Sequence, residues 1–504
     1  MNGILLDLLS KNPDIEPAGE SLLSIFLSAA ARLESDANAI GGADLAKLLN
    51  ILADAEIREG GPYRSFINSP NNDVDAATNA AIAYFLSLQN VNLPELDNLI
   101  KITIDQKKFD SKFFASEYPV VYLLARVCDK SRKHIITGHL LGCLCRNGTD
   151  QALAEASLDF IIGKNEKKPA AYNEGEKHAI DMIMDLAKQR FSSLGADLQK
   201  IAFLEIKKTM AQNPDNQMSL IAYYTKLALG KKGEKIPDKI IAQMGLANIF
   251  FWTAFIIYDN FWDCDEEASP HILPIANLFA RHYTDFFDSM FSEQTGFKKM
   301  FHCLMDKLDD ANTWETLHCR AAVAGNKFII PEILPDYTDY ESKYRPSSGH
   351  ILGPVALLYR IGYGGNSGAV RNLTEYFKNY LIAMQINDDA HDWVEDMQRG
   401  HLSTVVNMLL QDWLTDYPGQ KEIDLLADME KLQRLFWFKT IKRASQVVID
   451  YAQKSRLALR SLTILENPAP LEKYIILNEN VANKALIEQA KSVDFIREME
   501  VSGN

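Results

Sequence analysis

The sequence predicts an all-α protein built from two helical domains. Apolar residues recur with the period of an α-helix over long segments, and runs of alternating β-branched residues are scarce. The character of the chain also changes near residue 215. The clearest helical segments are AATNAAIAYFLSLQ, QALAEASLDFII, HAIDMIMDLAKQRF, RNLTEYFKNYLIAMQ and LQRLFWFKTIKRASQVVIDYAQ.

The first part of the chain, residues 1–215, consists of short predicted helices separated by polar turns that contain glycine or proline, such as EGGPYRSFINSPNND. This spacing indicates a degenerate helix-hairpin repeat of the α/α toroid type. From 216 to 504 the helices are longer. We therefore expect a toroid-like domain, without catalytic function, over 1–215 and a second domain over 216–504, with the boundary at AQNPDNQ or GKKGEKIPDK.

Charge and cysteine content exclude several classes of protein. The 504 residues include 53 Lys and Arg against 67 Asp and Glu, a net charge of −14, which argues against a nucleic-acid partner. Six cysteines in a chain of this length do not make a disulfide framework. The N-terminus lacks the basic segment of a secretory signal, so we expect a cytoplasmic protein.

One apolar run, IIAQMGLANIFFWTAFIIY, is nearly long enough to cross a bilayer. Gln243, Asn248 and Thr253 interrupt it, and acidic residues follow directly. We interpret the run as a buried core helix and expect no integral membrane segment.

The first of two acidic clusters, YDNFWDCDEEASP, follows this apolar run. Asp259 and Asp263 are spaced i, i+4, which places both carboxylates on one face of the predicted helix. Pro270 ends the segment soon afterwards.

The second cluster, QINDDAHDWVEDMQRGHLST, holds five acidic residues and one basic residue after the apolar segment YLIAMQI. Asp388, Asp392 and Asp396 are spaced i, i+4, i+8 and stack along one helix face. Gln385 lies one turn upstream on that face. Gly400 has the position of a helix stop.

Carboxylates at this spacing repel each other. The repulsion costs roughly a few tenths of a kcal/mol for each exposed pair and more for a buried pair. A divalent cation offsets that repulsion, and Mg²⁺ characteristically binds a few carboxylates together with substrate phosphates. A single acidic helix turn is commonly a solvated surface. Two such clusters, each next to a strongly apolar helix, instead favour a metal site at the mouth of an apolar pocket.

These residues resemble the motifs of the class I isoprenoid synthase superfamily, which includes terpene cyclases and prenyl diphosphate, squalene and phytoene synthases. DNFWD resembles the first aspartate-rich motif, DDxxD, with Asn260 in the second place. DDAHDWVED is similar to the second motif both as DDxxD and as three acids at four-residue spacing. RGHLST resembles the glycine-containing stretch that follows, and the resemblance extends over roughly 230–504.

The resemblance implies a helical barrel with two acidic faces opposed across its mouth. It also implies that Mg²⁺, as a trinuclear cluster assembled with the substrate, promotes ionisation of an allylic prenyl diphosphate. The implied metal ligands and catalytic residues are Asp259, Asp263, Asp388, Asp392 and Asp396.

A third resemblance concerns the diphosphate. YRPSSGHILGPVALLYRIG is similar to the kinked helix that carries a diphosphate-contacting Lys or Arg in prenyl synthases, which puts Arg345 at the basic position. An ordinary loop arginine is the alternative. Gly349, Gly353 and Pro354 suit a helix break there. Arg399 is a second candidate cation, and Gln385 matches the residue before the second motif.

Aromatic residues near the acidic clusters are candidates for a substrate cavity. Trp252 and Phe255 lie on about the same helix face as Asp259, and Phe377 and Met384 are candidates opposite. Their rings suit stabilisation of a carbocation. For each aromatic residue, plain core packing is the alternative.

Two departures from the family bear on the type of reaction. No arginine pair follows the first motif, and GKKGEKIP is only a loose match to the segment that binds isopentenyl diphosphate. A class I terpene synthase acting on one allylic diphosphate is therefore favoured over a prenyltransferase that elongates or condenses chains head to head. A non-catalytic, metal-binding helical protein is the third alternative, and homodimer formation is left open.

The N-terminal segment NNDVDAATNAA resembles, more faintly, the DxDD acid motif of class II terpene cyclases. Asp73 and Asp75 match, whereas Ala76 stands in the last matched place. The resemblance implies that Asp75 would protonate a substrate. The alternative is a structural aspartate that caps a helix.

Overall fold

The computed structural model describes residues 21–36, 39–66, 73–144, 149–163, 172–211, 213, 216–263, 268, 270–291, 293, 295–344 and 349–502. About 75% of the protein is helical, with one small three-stranded sheet. The all-α prediction is thereby confirmed. The chain divides into two compact units.

The first unit comprises Met1–Lys168, Leu194–Gln212 and Glu266–Ile272. Its helices are α1 (Leu22–Ser35), α2 (Gly42–Ala55), α3 (Ala76–Leu88), α4 (Pro94–Asp105), α5 (Tyr118–Val127), α6 (Lys133–Leu144), α7 (Thr149–Gly163) and α9 (Ala196–Ala211), with 3₁₀ turns at Lys130–Arg132 and Pro270–Ile272.

The odd-numbered helices of this unit pack against one another in order: α1 against α3, α3 against α5, and α5 against α7. Three small residues of α3, Ala77, Ala80 and Ala81, are completely buried and allow this close approach. Phe26 and Phe85 join α1 to α3, with ring centroids 5.2 Å apart. The toroid-like arrangement predicted for 1–215 stays a prediction.

The second unit comprises Pro169–Ser193, Asn213–Asp265 and Leu273–Asn504, so it takes up a segment that precedes the predicted boundary at 215. Its helices are α8 (Glu174–Phe191), α10 (Gln217–Ala228), α11 (Lys231–Glu234), α12 (Asp238–Trp262), α13 (Leu273–Met290), α14 (Thr295–His318), α15 (Tyr340–Lys343), α16 (Leu352–Arg360), α17 (Gly368–Arg399), α18 (Thr404–Asp416), α19 (Met429–Leu435), α20 (Ile441–Arg460) and α21 (Ala469–Ser502).

The helix α12 is the apolar run seen in the sequence, and it packs against α8, α10, α13 and α16. Two of its polar residues form hydrogen bonds inside the protein, since Asn248 Nδ2 donates to Met218 O at 2.7 Å and Thr253 Oγ1 to Ile249 O at 2.8 Å. Among the described residues, only α12 is long and apolar enough to cross a bilayer, and 72% of its most apolar window is buried. A buried core helix passes the same test.

The helix α17 runs for 32 residues and packs mainly against α20, with further contacts to α16, α18 and α21. It begins where the Ser367 side chain accepts a hydrogen bond from Val370 N. It ends at Gly400, whose φ of 74° is left-handed. The predicted helix stop is therefore confirmed.

The small sheet consists of β1 (Val323–Ala324), β2 (Lys327–Ile329) and β3 (Glu422–Asp424), all antiparallel. Phe328 and Ile423 pair across β2 and β3 and are completely buried. They belong to the same apolar core as Trp393 and Met397 of α17. A π-helical turn, Phe436–Thr440, joins α19 to α20.

Candidate metal centre

The acidic residues of α12 lie at its C-terminal end. Asp263 is the C-cap residue, and its N–H donates to Asp259 O at 2.8 Å. The Asp259 side chain keeps solvent-accessible surface, whereas that of Asp263 is 19% exposed. Both residues therefore lie at the C-terminal end of the helix.

The acidic residues of α17 differ in their surroundings. Asp388 and Asp392 are exposed to solvent. Asp396 is only 14% exposed and lies beside His401. Asp389 lies on the same helix but outside the four-residue series. It is partly buried, and its side chain accepts a hydrogen bond from Tyr344. The stack of acids therefore has an outer part and an inner part.

A short backbone pairing sets the local geometry. Residues 319–321, after α14, pair with residues 400–402, after α17, through Ala321 N to Gly400 O at 2.7 Å and Leu402 N to Cys319 O at 2.9 Å. A Cβ atom on Gly400 would lie 2.2 Å from Ala321 O. Glycine is required here both for the left-handed φ and for the close approach of the two chains.

This pairing places two cations among the carboxylates. Arg320 forms a salt bridge with Asp263 and also donates to Trp262 O at 3.3 Å. The His401 ring lies between two acids, with Nε2 3.0 Å from Glu315 Oε1 and Nδ1 3.5 Å from Asp396 Oδ1. One ring thus connects α14 with α17.

Three side chains come close enough to share one ion. Ligand atoms of Asp263, Glu315 and His401 all lie within 4.8 Å of one another. They derive from the end of α12, from α14 and from the segment after α17. The two predicted acidic clusters are therefore linked in space through Glu315, which neither cluster contains, and through His401 after the last acid of the second cluster.

Burial, together with neighbouring charges, raises the pKa of the acids in this centre. Enclosure by protein atoms raises the pKa of Asp259 to about 8, with the charges of Asp263 and Glu315 adding to the rise and His401 and Arg320 opposing it. Asp259 nevertheless retains solvent access, so it is not completely buried. Burial likewise raises the pKa of Asp263.

The pKa of His401 is also raised, which for a histidine favours the charged form. Burial alone would lower its pKa, but hydrogen bonds to Asp396 and Glu315 and the charge of Asp263 raise the pKa of His401 well above its ordinary value. The ring is therefore an imidazolium that donates from both nitrogens. In this form it balances the carboxylates of Glu315 and Asp396.

Asp389 has its own set of partners. Its Oδ2 accepts hydrogen bonds from Tyr344 Oη and from Thr404 N, both at 3.0 Å. Burial raises the pKa of Asp389 to about 8, and the charge of Asp396 adds to the rise. Through its hydrogen bond with Thr404 N, Asp389 connects α17 to the start of α18.

The carboxylates fit an oxygen-preferring dication such as Mg²⁺. Asp263 and Glu315 supply oxygens within reach of a shared ion, and the exposed Asp259 leaves access from solvent. Arg320 and His401 fit the role of counter-charges that hold these carboxylates together.

The predicted aromatic residues of the two motif helices meet at His350. Trp252 Nε1 donates to His350 Nδ1 at 3.0 Å, and the Phe377 ring lies edge-to-face on His350 with centroids 6.0 Å apart. Because an indole N–H only donates, His350 Nδ1 must accept, which places the ring proton on Nε2. Burial lowers the pKa of His350 to about 3, in agreement with a neutral ring.

The remaining apolar candidates lie nearby on the same helices. Phe255 packs against Phe251 with ring centroids 4.5 Å apart. Met384 Sδ lies 3.4 Å from Tyr380 Oη and 3.5 Å from Gln217 Nε2. These contacts are those of core packing, and a role toward a substrate stays a prediction.

The predicted diphosphate-binding residues fall into three situations. Arg345 lies outside the described residues. Gln385 is partly buried one turn before Asp388. Arg399 pairs with Glu395 at 3.9 Å near the end of α17. Residues 349–351 form a 3₁₀ turn that precedes α16, and the helix break predicted there stays a prediction because residues 345–348 lie outside the described part of the chain.

In the first unit, Asp75 caps α3. Its Oδ1 accepts from Thr78 N at 3.2 Å and from Ser111 Oγ at 3.0 Å, and its Oδ2 accepts from Lys112 N at 3.2 Å. The neighbouring Asp73 forms a salt bridge with Lys112. Three donors on one buried carboxylate favour the capping role over that of an acid that protonates a substrate.

Sequence reasoning missed Glu315, Arg320 and His401. His401 stood inside the quoted RGHLST stretch, but its partner acids were not recognisable. Glu315 and Arg320 belong to no motif and reach the centre only through the 319–321 pairing. One feature of the sequence pointed to a distant basic partner. No arginine pair follows DNFWD, so Asp263 has no basic partner nearby in the sequence.

No protein-family model matches the chain, and a search of the curated proteins finds no match. The interpretation of this centre therefore depends on its own residues and their geometry.

Proposed function

We propose that this chain is a Mg²⁺-dependent class I terpene synthase that ionises an allylic prenyl diphosphate and cyclises or rearranges the resulting cation. The observation that carries the proposal is the convergence of Asp263 of α12 with Glu315 and with His401, which holds Asp396 of α17. The uncharged run of α12 extends up to Asp259, and the apolar segment YLIAMQI precedes the acids of α17. Carboxylates gathered at the end of apolar helices suit a site for a metal-bound anion with a hydrocarbon tail.

The carboxylates of Asp259, Asp263 and Glu315 would hold the metal, with Asp388, Asp392 and Asp396 reaching it from α17. When bound, Mg²⁺ would neutralise charge that develops on the diphosphate leaving group. Deprotonation of Asp259, whose pKa is about 8, would accompany loading.

The cations of the centre have a second task in this proposal. Arg320 carries a fork of donors and is 25% exposed, so it can exchange part of its contact with Asp263 for a phosphate oxygen. His401 remains paired with Glu315 and Asp396 and so connects α14 with α17. Arg399 supplies a further cation near the end of α17.

The apolar part of the proposed site lies toward the middle of α12 and α17. The Trp252 and Phe377 rings are fixed in position by their contacts with His350. Such rings suit a carbocation intermediate, and the neutral His350 adds no competing charge. Because Nδ1 of His350 already accepts from Trp252, this ring is not available as a base at that nitrogen.

The test is incubation with geranyl, farnesyl and geranylgeranyl diphosphate, with Mg²⁺ or with EDTA. We expect release of inorganic diphosphate together with a hydrocarbon or alcohol, found by mass spectrometry, from at least one substrate and only with the metal. A folded protein that releases no diphosphate from any of them would contradict the proposal. Products that keep a diphosphate, formed only when isopentenyl diphosphate is added, would indicate a prenyltransferase.

A second candidate, a non-catalytic helical protein, is favoured by one observation. Arg320 and His401 already balance part of the acidic charge without any metal. Under this alternative, Asp263→Asn lowers thermal stability by several degrees, since Arg320 loses its partner. Under the enzymatic proposal, the same variant loses turnover while its fold stays nearly intact.

A further inference from the structure

A cavity lies on the side of α12 away from the acidic centre. Its volume is about 720 Å³, within the range of small-molecule sites. The walls are formed by α8, α12, α13 and the last residue of α16. Phe250, which lines it, precedes Asp259 by nine residues, or about two and a half helical turns, so the two side chains leave opposite sides of the helix.

The lining of this cavity is apolar with a basic edge. The hydrocarbon surface comes mainly from Leu186, Ile240, Leu246, Phe250, Phe286 and Met290. Two arginines, Arg190 and Arg360, also line the cavity, and both are exposed to solvent. No carboxylate is present among the lining residues that the structure describes.

Arg190 is held in place without being neutralised. Its Nε donates to His282 Nδ1 at 3.0 Å, so that nitrogen of His282 must be an acceptor and the ring is neutral. Burial, together with the charges of Arg190 and Arg281, lowers the pKa of His282 to about 4, while Asp285 opposes this change. The two terminal nitrogens of Arg190 form no salt bridge within the described part of the chain.

Arg360 completes the basic edge. It is the last residue of α16 and, among the residues that the structure describes, it pairs with no acid. Two guanidinium groups beside an apolar cavity, one of them oriented by a neutral acceptor, are complementary to an anion that carries a hydrocarbon chain. An uncharged apolar ligand would leave both cations without a partner.

We propose that this cavity binds a free anionic amphiphile, with a phosphate or carboxylate head on Arg190 and Arg360 and its chain along the apolar walls. The site is separate from the acidic centre and does not depend on the proposed function. Residues from four elements of the second unit line the cavity, and its volume of about 720 Å³ suits a single amphiphile chain.

The test is isothermal titration of the full chain with dodecyl phosphate, below its micelle concentration and in EDTA. Without divalent ions the acidic centre repels anions, so binding there is suppressed. We expect saturable binding of one dodecyl phosphate, weaker binding of dodecanoate, and no measurable binding of inorganic phosphate or dodecanol at the same concentration. Equal binding of dodecanol, or of inorganic phosphate, would overturn the proposal.

The matched variant is Arg190→Met with Arg360→Met, which keeps the apolar stems and removes both charges. We expect its affinity for dodecyl phosphate to fall by about tenfold or more. The control, Arg281→Met, removes an exposed arginine that does not line the cavity and should bind as the wild type does. Unchanged affinity in the double variant would contradict the proposal.

The membrane alternative is tested by sedimentation with phosphatidylglycerol vesicles. We expect no co-sedimentation of the wild type beyond that of the double variant. Arginine-dependent binding to vesicles, without binding of dodecyl phosphate, would replace the free amphiphile by a lipid surface and overturn the proposal.

Discussion

The two sides of α12 use arginine in opposite ways. On the acidic side, Arg320 is paired with Asp263 and its charge is largely balanced. On the other side, Arg190 is oriented by the neutral His282 and keeps its full charge. The same apolar helix thus separates a centre suited to cations from a cavity suited to anions.

The contrast shows that the partner of a charged group matters more than its presence. A guanidinium that meets a carboxylate balances the charge of an acidic centre, whereas one that meets a neutral acceptor keeps a charge that can bind an anionic ligand. The helix supplies rigidity to both sides, since most of its residues are buried against α8, α10, α13 and α16.

The largest expected effect is on the acidic side. We expect Asp263→Asn to lower turnover of a prenyl diphosphate by about a hundredfold or more, because one metal-binding oxygen and its charge are lost. The free energy of unfolding should change by only about 1 kcal/mol, since the pair with Arg320 is partly exposed. Steady-state kinetics and chemical denaturation measure the two quantities.

The control for this variant is Asp306→Asn on α14, an exposed aspartate outside the centre. It should leave both quantities unchanged. Equal loss of turnover in the two variants would show that general surface charge, and not the centre, is responsible.

The next effect concerns the pairing that assembles the acidic centre. We expect Gly400→Ala to lower the free energy of unfolding by about 3 kcal/mol, because the new Cβ combines a left-handed φ with a clash against Ala321 O. Gly419→Ala is the matched control, since Gly419 has a φ of 84° but no atom within 4 Å of its Cβ position. It should cost only about 1 kcal/mol. Equal losses in the two variants would mean that the close pairing contributes nothing.

A smaller, pH-dependent effect is expected on the basic side. The pKa of His282 is lowered to about 4 in the folded protein, so between pH 4 and about 6.5 the unfolded chain binds more protons there. His282 therefore contributes stability fully above about pH 6.5, and this contribution is lost as the pH falls toward 4. The variant His282→Gln keeps an amide oxygen that can accept from Arg190, but it has no group that titrates in this range. The contribution of residue 282 to stability should therefore no longer depend on pH.

Chemical denaturation at several pH values checks this difference. Relative to His282→Gln, we expect the wild type to lose about 1 to 3 kcal/mol between pH 6.5 and pH 4. The exposed His178 on α8 provides the control, and His178→Gln should follow the wild type across this range. Parallel curves for the wild type and His282→Gln would show that His282 is not held neutral.

The smallest expected effect is in the interior between the two motif helices. Trp252→Phe keeps an aromatic ring but removes the N–H that donates to His350 Nδ1, at a cost of about 1 kcal/mol in the free energy of unfolding. Trp437→Phe, at an indole that is 38% exposed, should change stability by less. A larger loss at Trp437 would contradict the importance assigned to the His350 contact.

Much of the helical framework was predictable from local pattern. The uncharged run before Asp259 predicted α12, and Gly400 predicted the end of α17. Both depend on interactions between residues close in sequence: burial of an apolar segment and the left-handed conformation of glycine. The structure bears out each of these two predictions.

The composition of the acidic centre was not predictable in the same way. Arg320 lies 57 residues from Asp263 in the chain, and only the return of α14 brings the two together. Asp389 was passed over because four-residue spacing selects Asp388, whereas contact with Tyr344 and Thr404 depends on tertiary packing. Partners separated this far leave no pattern in a single sequence.

The most direct test of the central claim is anomalous diffraction from crystals soaked with Mn²⁺ and inorganic diphosphate. We predict anomalous peaks between the end of α12 and α17, within bonding distance of Asp263, that disappear in Asp263→Asn crystals. Well-ordered crystals in which the wild type shows no peak beside Asp263, at Mn²⁺ concentrations that saturate ordinary carboxylate sites, would contradict the claim that this centre holds divalent metal.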